Sequence, residues 1–330
     1  DAPKHMWTFK NNPSTQTVTI PDKCRENEQM TVGNTAAKHW HPIKNLDEVI
    51  RSADRPAIDV NASVVEDFQR DGVVLIPDIF KRWVPDLSAG LQRNLDDPQS
   101  FAFPCDSVGD KETGRFFDSY CNWQLISEYC DFVLSSPAAS LASQLMRSTT
   151  AQLFHDHAFV KERGTQKATP WHHDLPYYCI DGFQTVSLYI ALDPIPAQTA
   201  VRFLKGSHRN GHLYAPRNFA SGAEYSHNDP SLCSAPHVEE SASDLFIEAL
   251  QPGDALCFDF RTLHGTTDEP IQERRRAFST RWMGDDVRYL ERLSETSPPL
   301  NDLGLTTGDL MRTDLFPILW PTSDNGGARR

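Results

Sequence analysis

The sequence predicts a mainly β fold, a sandwich or barrel, with helices on its flank. Three observations predict it. Between residues 151 and 283 short apolar or alternating runs recur, and Gly, Pro or Asp closes most of them. Ahead of them lie helix-like runs with apolar residues three and four apart. The 330 residues are 39% hydrophobic and 23% charged, an ordinary globular mix that excludes disorder as the main description. A chain of this length buries a large core without disulfide or metal staples.

Taken in order, residues 1–62 are polar and irregular and read as an N-terminal arm wrapping the main domain. Within them, His39-Trp40-His41 reads as a surface aromatic-polar patch rather than a metal site. The main domain is expected over 63–295. Residues 64–70 predict a short helix stopped at Asp71-Gly72, and 73–76 a buried strand closed by Pro77-Asp78. Helices follow around 82–96 and 122–148, the second interrupted by a Ser-Pro break. Strands are predicted at 151–160, 170–174, 185–192, 201–204, 255–260 and 275–283. The long polar stretch from Gly206 to about Asp244 suits a functional loop such as a lid. The segment 296–330, with its apolar knot Leu315-Phe316-Pro317-Ile318-Leu319-Trp320, is expected to pack on the core. No internal repeat is seen.

The formal net charge is −13. Such a field repels nucleic acid and anionic membrane surfaces, so neither is expected as a partner. The seven Cys (Cys24, Cys105, Cys121, Cys130, Cys179, Cys233 and Cys257) are odd in number, irregularly spaced and without a Cys-x-x-Cys. They predict reduced thiols in a cytoplasmic protein rather than a disulfide framework or zinc knuckle. No apolar window of about 18 residues is present to cross a membrane. No signal peptide is visible, although the chain begins at Asp1 and removal of a targeting segment stays open. The oligomeric state is also left open.

The sharpest local feature is Trp171-His172-His173-Asp174. On a strand, residues two apart share a face, so His172 and Asp174 reach one metal while His173 points away. Ninety-two residues on, Thr262-Leu263-His264-Gly265-Thr266 ends a run that opens after Pro252-Gly253-Asp254, and His264 is the natural third ligand. Two His and one carboxylate leave three positions free on an octahedral ion, the facial arrangement of non-haem Fe(II) oxygenases.

Eleven residues after His264 stands Arg275, in the run Arg274-Arg275-Arg276-Ala277-Phe278-Ser279-Thr280-Arg281. On a strand Arg275, Ala277, Ser279 and Arg281 share one face. A buried Arg there needs an anion, and its planar fork matches a carboxylate. A co-substrate that chelates Fe(II) at one end and presents a carboxylate at the other satisfies both features, and 2-oxoglutarate is such a molecule.

With these residues in order, the chain resembles the phytanoyl-CoA dioxygenase family of Fe(II)/2-oxoglutarate-dependent oxygenases over roughly 63–285. The entry Asp67-Phe68-Gln69-Arg70-Asp71-Gly72-Val73-Val74 and the run Phe203-Leu204-Lys205-Gly206-Ser207-His208 belong to the resemblance, beside the motifs around His172, Asp174, His264 and Arg275. It implies a double-stranded β-helix, a cupin-like jelly roll with supporting helices. It implies that His172, Asp174 and His264 bind iron and that Arg275 grips the distal carboxylate of 2-oxoglutarate. Thr266 joins that grip, Tyr189 lines the same pocket, and Ser279 is a further candidate on the Arg275 face. His173 stands where many members have Gln. On the strand before the ligand pair, His155 and His157 share a face as substrate contacts. The Tyr177-Tyr178 pair is a candidate substrate wall, and Arg281 a partner for a substrate carboxylate.

The expected activity is O2-dependent hydroxylation of an unactivated C–H bond in a small polar metabolite, with Fe(II) as cofactor. Desaturation and oxidative cyclisation remain alternatives, as does an acyl-CoA hydroxylase with Arg202, Lys205, His208 and Arg209 near the phosphates. Asp174 disfavours halogenation, because related halogenases have a small residue there. Two rivals are a cupin-like site using Zn(II) or Mn(II) for redox-neutral chemistry and a catalytically silent binding protein. Both leave the set His172, Asp174, His264 and Arg275 without a shared purpose.

Overall fold

A computed structural model describes residues 7–9, 46–53, 55–98, 106–108, 114–166, 168–217, 224, 229–239, 242–300 and 303–321. The chain segment holding His39 and His41 lies outside them, as do Cys24 and Cys105. Among the described residues Cys121, Cys130, Cys179, Cys233 and Cys257 form no disulfide.

After a short helix at Leu46–Ser52, four further helices precede most of the strands: α1 (Ala62–Asp71), α2 (Val84–Asp96), α3 (Ser127–Ser135) and α4 (Ala138–Met146). Asn61 caps α1 by accepting from the Ser63 amide, Val64 and Phe68 turn its apolar face inward, and Gly72 ends it with φ 76°. The second helical stretch divides as its Ser-Pro break predicts. Pro137 separates α3 from α4, because proline offers no N–H to an interior helical turn.

Beside three two-stranded pairings, two larger sheets hold, first, β1 (Val73–Ile76), β2 (Asp106–Val108), β3 (Phe116–Tyr120) and β4 (Ala151–Lys161). Next come β5 (Thr185–Ala191), β6 (Arg202–Leu204), β7 (Leu245–Ile247) and β8 (Ala255–Phe258). Last are β9 (His264–Gly265), β10 (Arg275–Met283) and β11 (Ile318–Trp320). The larger sheet runs β1-β8-β5-β10-β4-β3-β2, with β11 also on β4, and the smaller runs β7-β6-β9. Neighbours in both are antiparallel. This is a jelly roll with helices on the outer face of its larger sheet.

Alternation along the strands builds the layers. On β5, Val186, Leu188 and Ile190 join the core under the helices, where α4 lies against β4 and β5. Tyr189 and Ala191, between them, face the other way and share a cluster with Phe203 of the smaller sheet. On β10, Phe278 and Trp282 face the helices while Arg275, Ser279 and Arg281 face inward. The pairing of β10 with β4 shifts between Arg281 and Trp282, so Phe154 is an extra residue on β4. Leu153 therefore packs under the helices although His155, two residues on, faces inward.

One predicted strand is absent. Residues 170–174 form no regular strand: His172 makes a single bridge to His264, and Asp174 opens the 3-10 turn Leu175–Tyr177. Pro170 and Pro176 supply no N–H at either end of the segment, so a ladder cannot run on through those two positions. The C-terminal segment lies against the β domain, with Leu315, Phe316 and Leu319 buried.

Candidate active site

The two sheets enclose a cavity of about 310 Å³. Of the residues singled out from the sequence, Arg202, Lys205, His208 and Arg209 lie outside its lining, and twelve line it: His155, His157, His172, Asp174, Tyr177, Tyr178, Tyr189, His264, Thr266, Arg275, Ser279 and Arg281. His173 does not; its ring packs on Tyr214, 4.5 Å between centroids.

At the centre His172, Asp174 and His264 bring one ligand atom each within 4.8 Å of one another, all three residues buried. Backbone pairing sets this up. His172 N donates to His264 O at 2.9 Å, and His264 N donates to His172 O at 3.0 Å. Each imidazole then spends Nδ1 on a carbonyl two residues earlier in its own chain, Pro170 O for His172 and Thr262 O for His264, both at 2.8 Å. Nδ1 therefore carries the proton in both, and both Nε2 lone pairs face the carboxylate. Asp174 Oδ1 lies 3.6 Å from His172 Nε2 and 3.7 Å from His264 Nε2.

The other carboxylate oxygen faces away. Asp174 Oδ2 accepts from Ser187 Oγ at 3.2 Å and lies 3.6 Å from Arg281 Nε. Burial opposes the charge on Asp174, but the Arg281 guanidinium outweighs it, so the carboxyl is held below its usual range. Burial, reinforced by neighbouring His172, lowers His264 to about 3 and keeps it neutral at physiological pH. Two imidazole Nε2 atoms and a carboxylate oxygen are the donor set a divalent cation of the first transition row takes, so these residues fit such a metal.

One end of the cavity is cationic. Arg275 donates through Nη1 to the Thr199 carbonyl and is 7% exposed. Thr266 Oγ1 accepts from the Thr169 amide at 2.7 Å and from Lys161 Nζ at 3.4 Å. Tyr189, nearly buried, keeps its phenol proton because burial disfavours the phenolate. Two cations, a hydroxyl and a phenol converge there, a setting for a carboxylate.

A polar wall stands on β3 and β4. His157 Nε2 lies 3.3 Å from Asp118 Oδ2, and its ring stacks on Phe159 at 3.9 Å. Burial, helped by Arg281, pushes the His157 imidazole well below its usual value, so the Asp118 partner meets a neutral ring. The rim is tied to the centre through Tyr177. Its hydroxyl donates to Arg217 O at 2.8 Å and accepts from Arg217 N at 2.7 Å, while its carbonyl accepts from Ser297 N at 2.8 Å. Arg292 donates to the carbonyls of Leu175, Tyr178 and Ile180 and so braces the turn that follows Asp174.

Sequence reasoning missed Lys161, Asp118 and Ser187. Lys161 was within reach, since it lies on the period-two face of His155 and His157. Ser187 precedes Tyr189 by two on the same face. Asp118 falls where no strand was predicted.

A family model described as phytanoyl-CoA dioxygenase matches residues 68–277. Similar solved structures include the non-haem alpha ketoglutarate dependent carbocyclase SnoK from nogalamycin biosynthesis. It has a TM-score of 0.59 at 19% identity, covering 79% of this chain and 96% of that one. The epimerase SnoN, solved with Fe3+, alpha ketoglutarate and nogalamycin RO, has a TM-score of 0.57 at 20% identity, covering 78% and 97%. EctD from S. alaskensis, in its apoform, has a TM-score of 0.52 at 18% identity, covering 68% and 77%. At these identities the likeness is one of fold. No curated protein matches the chain.

Proposed function

The chain belongs to the phytanoyl-CoA dioxygenase family, and from that premise we propose that it oxidises an unactivated C–H bond of a small polar metabolite, with hydroxylation as the default outcome. It is a non-haem oxygenase that uses Fe(II), 2-oxoglutarate and O2. When bound, Fe(II) would activate O2, which is the oxidant, and 2-oxoglutarate would supply two electrons as it leaves as succinate and CO2, one oxygen atom going to succinate and the other to the substrate.

The chain's own residues bind, orient and exclude water. His172, His264 and Asp174 Oδ1 hold the iron, and their second contacts keep each donor atom aimed. Arg275, Thr266, Lys161 and Tyr189 take the distal carboxylate of 2-oxoglutarate. Asp118 with His157 offers the substrate a polar wall. Tyr177 anchors the loop at Arg217 to the turn after Asp174, and closure of that loop shields the centre from water. A cavity of about 310 Å³ suits a metabolite of modest size beside the co-substrate.

The observation that carries this reading is the buried His172, Asp174 and His264 group in one cavity with Arg275. Anaerobic addition of Fe(II) and 2-oxoglutarate should give a weak visible charge-transfer band. No band, and no succinate with any metabolite pool, would sink the oxygenase reading. Mass shifts of +16 in those pools mark hydroxylation and −2 desaturation or cyclisation.

A further inference from the structure

Several buried polar atoms of the cavity lining have no partner, and two of them belong to residues paired across neighbouring strands. Arg281 Nη1 and His155 Nε2 are both buried without a hydrogen bond. Arg281 and His155 are directly opposite each other on antiparallel β10 and β4, a register that sets Cβ atoms about 5 Å apart. Both residues line the cavity, at 5% and 1% exposure. Tyr178 fixes them: its ring centroid lies 5.3 Å from that of His155 and 6.0 Å from the Arg281 guanidinium carbon.

The two orphan atoms have opposite hydrogen-bonding character. Arg281 uses Nε on the Tyr178 hydroxyl, leaving Nη1 as a charged donor. His155 directs Nδ1 at the Asp156 carbonyl, 3.0 Å away, so that nitrogen holds the proton and Nε2 is an acceptor. The nearest carboxylate to Arg281 is Asp174, approached through Nε and turned by its other oxygen to the histidine pair. A buried guanidinium with an open donor calls for an anion, and a buried imidazole acceptor for an O–H or N–H.

We propose that Arg281 and His155 form the head-group site for the prime substrate, a 2-hydroxy or 2-amino carboxylic acid, its carboxylate on Arg281 Nη1 and its hydroxyl or amino group on His155 Nε2. The assignment rests on the oxygenase reading and names the substrate class for it. A carboxylate at Arg281 has a second source, the carboxylate of 2-oxoglutarate beside its keto group, and the test separates the two.

The protein, loaded anaerobically with Fe(II) and 2-oxoglutarate, is titrated with a panel of 2-hydroxy and 2-amino acids, their methyl esters and the acids lacking the 2-substituent. Binding is read from perturbation of the visible band and from the thermal midpoint. At least one acid is expected to bind about tenfold or more tighter than its ester, and several-fold tighter than its unsubstituted analogue. Arg281→Lys, which keeps the charge and loses the fork, weakens that acid about tenfold and 2-oxoglutarate by much less. His155→Phe removes the preference for the 2-substituent. Esters binding as well as acids overturn the site. So does an Arg281→Lys loss that falls equally or mainly on 2-oxoglutarate, which places the co-substrate's carboxylate at Arg281. Should Arg281→Lys fail to fold, the ester comparison in the unaltered protein decides alone. An absent band defeats the oxygenase reading and this site with it; a normal band without acid preference defeats the site only.

Discussion

His172 and His264 exchange both backbone hydrogen bonds, at 2.9 and 3.0 Å, although ninety-two residues separate them. The bridge joins the turn that carries Asp174 to the smaller sheet, and it holds two imidazoles 4.2 Å apart between centroids. Metal affinity therefore depends on a backbone pair as well as on three side chains.

His172→Ala is expected to abolish the charge-transfer band with Fe(II) and 2-oxoglutarate while the fold survives. The loss of iron affinity should exceed the about 10–100-fold that removal of an outer partner costs. Metal titration with circular dichroism measures both. A normal band in this variant would show that His172 is not a ligand.

Arg275→Lys should raise the KM for 2-oxoglutarate by about 10–100-fold, because a point charge replaces a two-pronged donor. Lys161→Met should raise it less, since Lys161 Nζ stands 3.4 Å from Thr266 Oγ1 and adds charge rather than a fork. Steady-state kinetics with 2-oxoglutarate as the varied substrate tests the order. A larger effect at Lys161 would reverse the roles assigned here.

Gly72→Ala attacks the site from outside. Gly72 has φ 76°, and an added Cβ would meet His208 Nδ1 and Thr262 Oγ1 at 2.4 Å each. Thr262 O holds the His264 ring. Denaturant unfolding should show a loss of about 2 kcal/mol or more, with weaker iron binding in whatever folds. Unchanged stability would mean that the 72 and 262 turns are not packed as described.

Asp259 sets a pH dependence. Burial raises its carboxyl from 3.8 to about 7, against the Arg261 amide that donates to it at 2.7 Å. Below about pH 4 both folded and unfolded states hold the proton, and this group contributes no difference. From there to about pH 7 only the folded state holds it, so stability attributable to Asp259 falls as pH rises, then levels off. Asp259→Asn keeps an acceptor for the amide and removes the titration. The variant should gain on the parent by a few kcal/mol between pH 4 and 8, followed by urea unfolding. Parallel profiles would refute the shift.

The site was read from the sequence further than the fold around it. His172, Asp174, His264 and Arg275 stood out because metal and carboxylate chemistry admits few residue types, and period-two alternation sorted Arg275, Ser279 and Arg281 onto one face. The structure gathers them in one cavity. Alternation failed where local geometry departs from a regular strand. The prolines around His172 replace the expected strand with a bridge and a turn, and the extra Phe154 sends Leu153 to the face opposite His155.

By itself, then, the sequence determined the fold class, the motif residues and the face each takes on its own strand, since these depend on neighbours along the chain. Which strand lies beside which was decided only by the tertiary structure. Lys161 reaches Thr266 across 105 residues, Asp118 meets His157 across 39, and Arg281 stands opposite His155. Antiparallel register brings the last two pairs together and the facing of the two sheets the first, and both are set by burying the sheets' inner faces at once, a condition that no single segment carries in its own pattern.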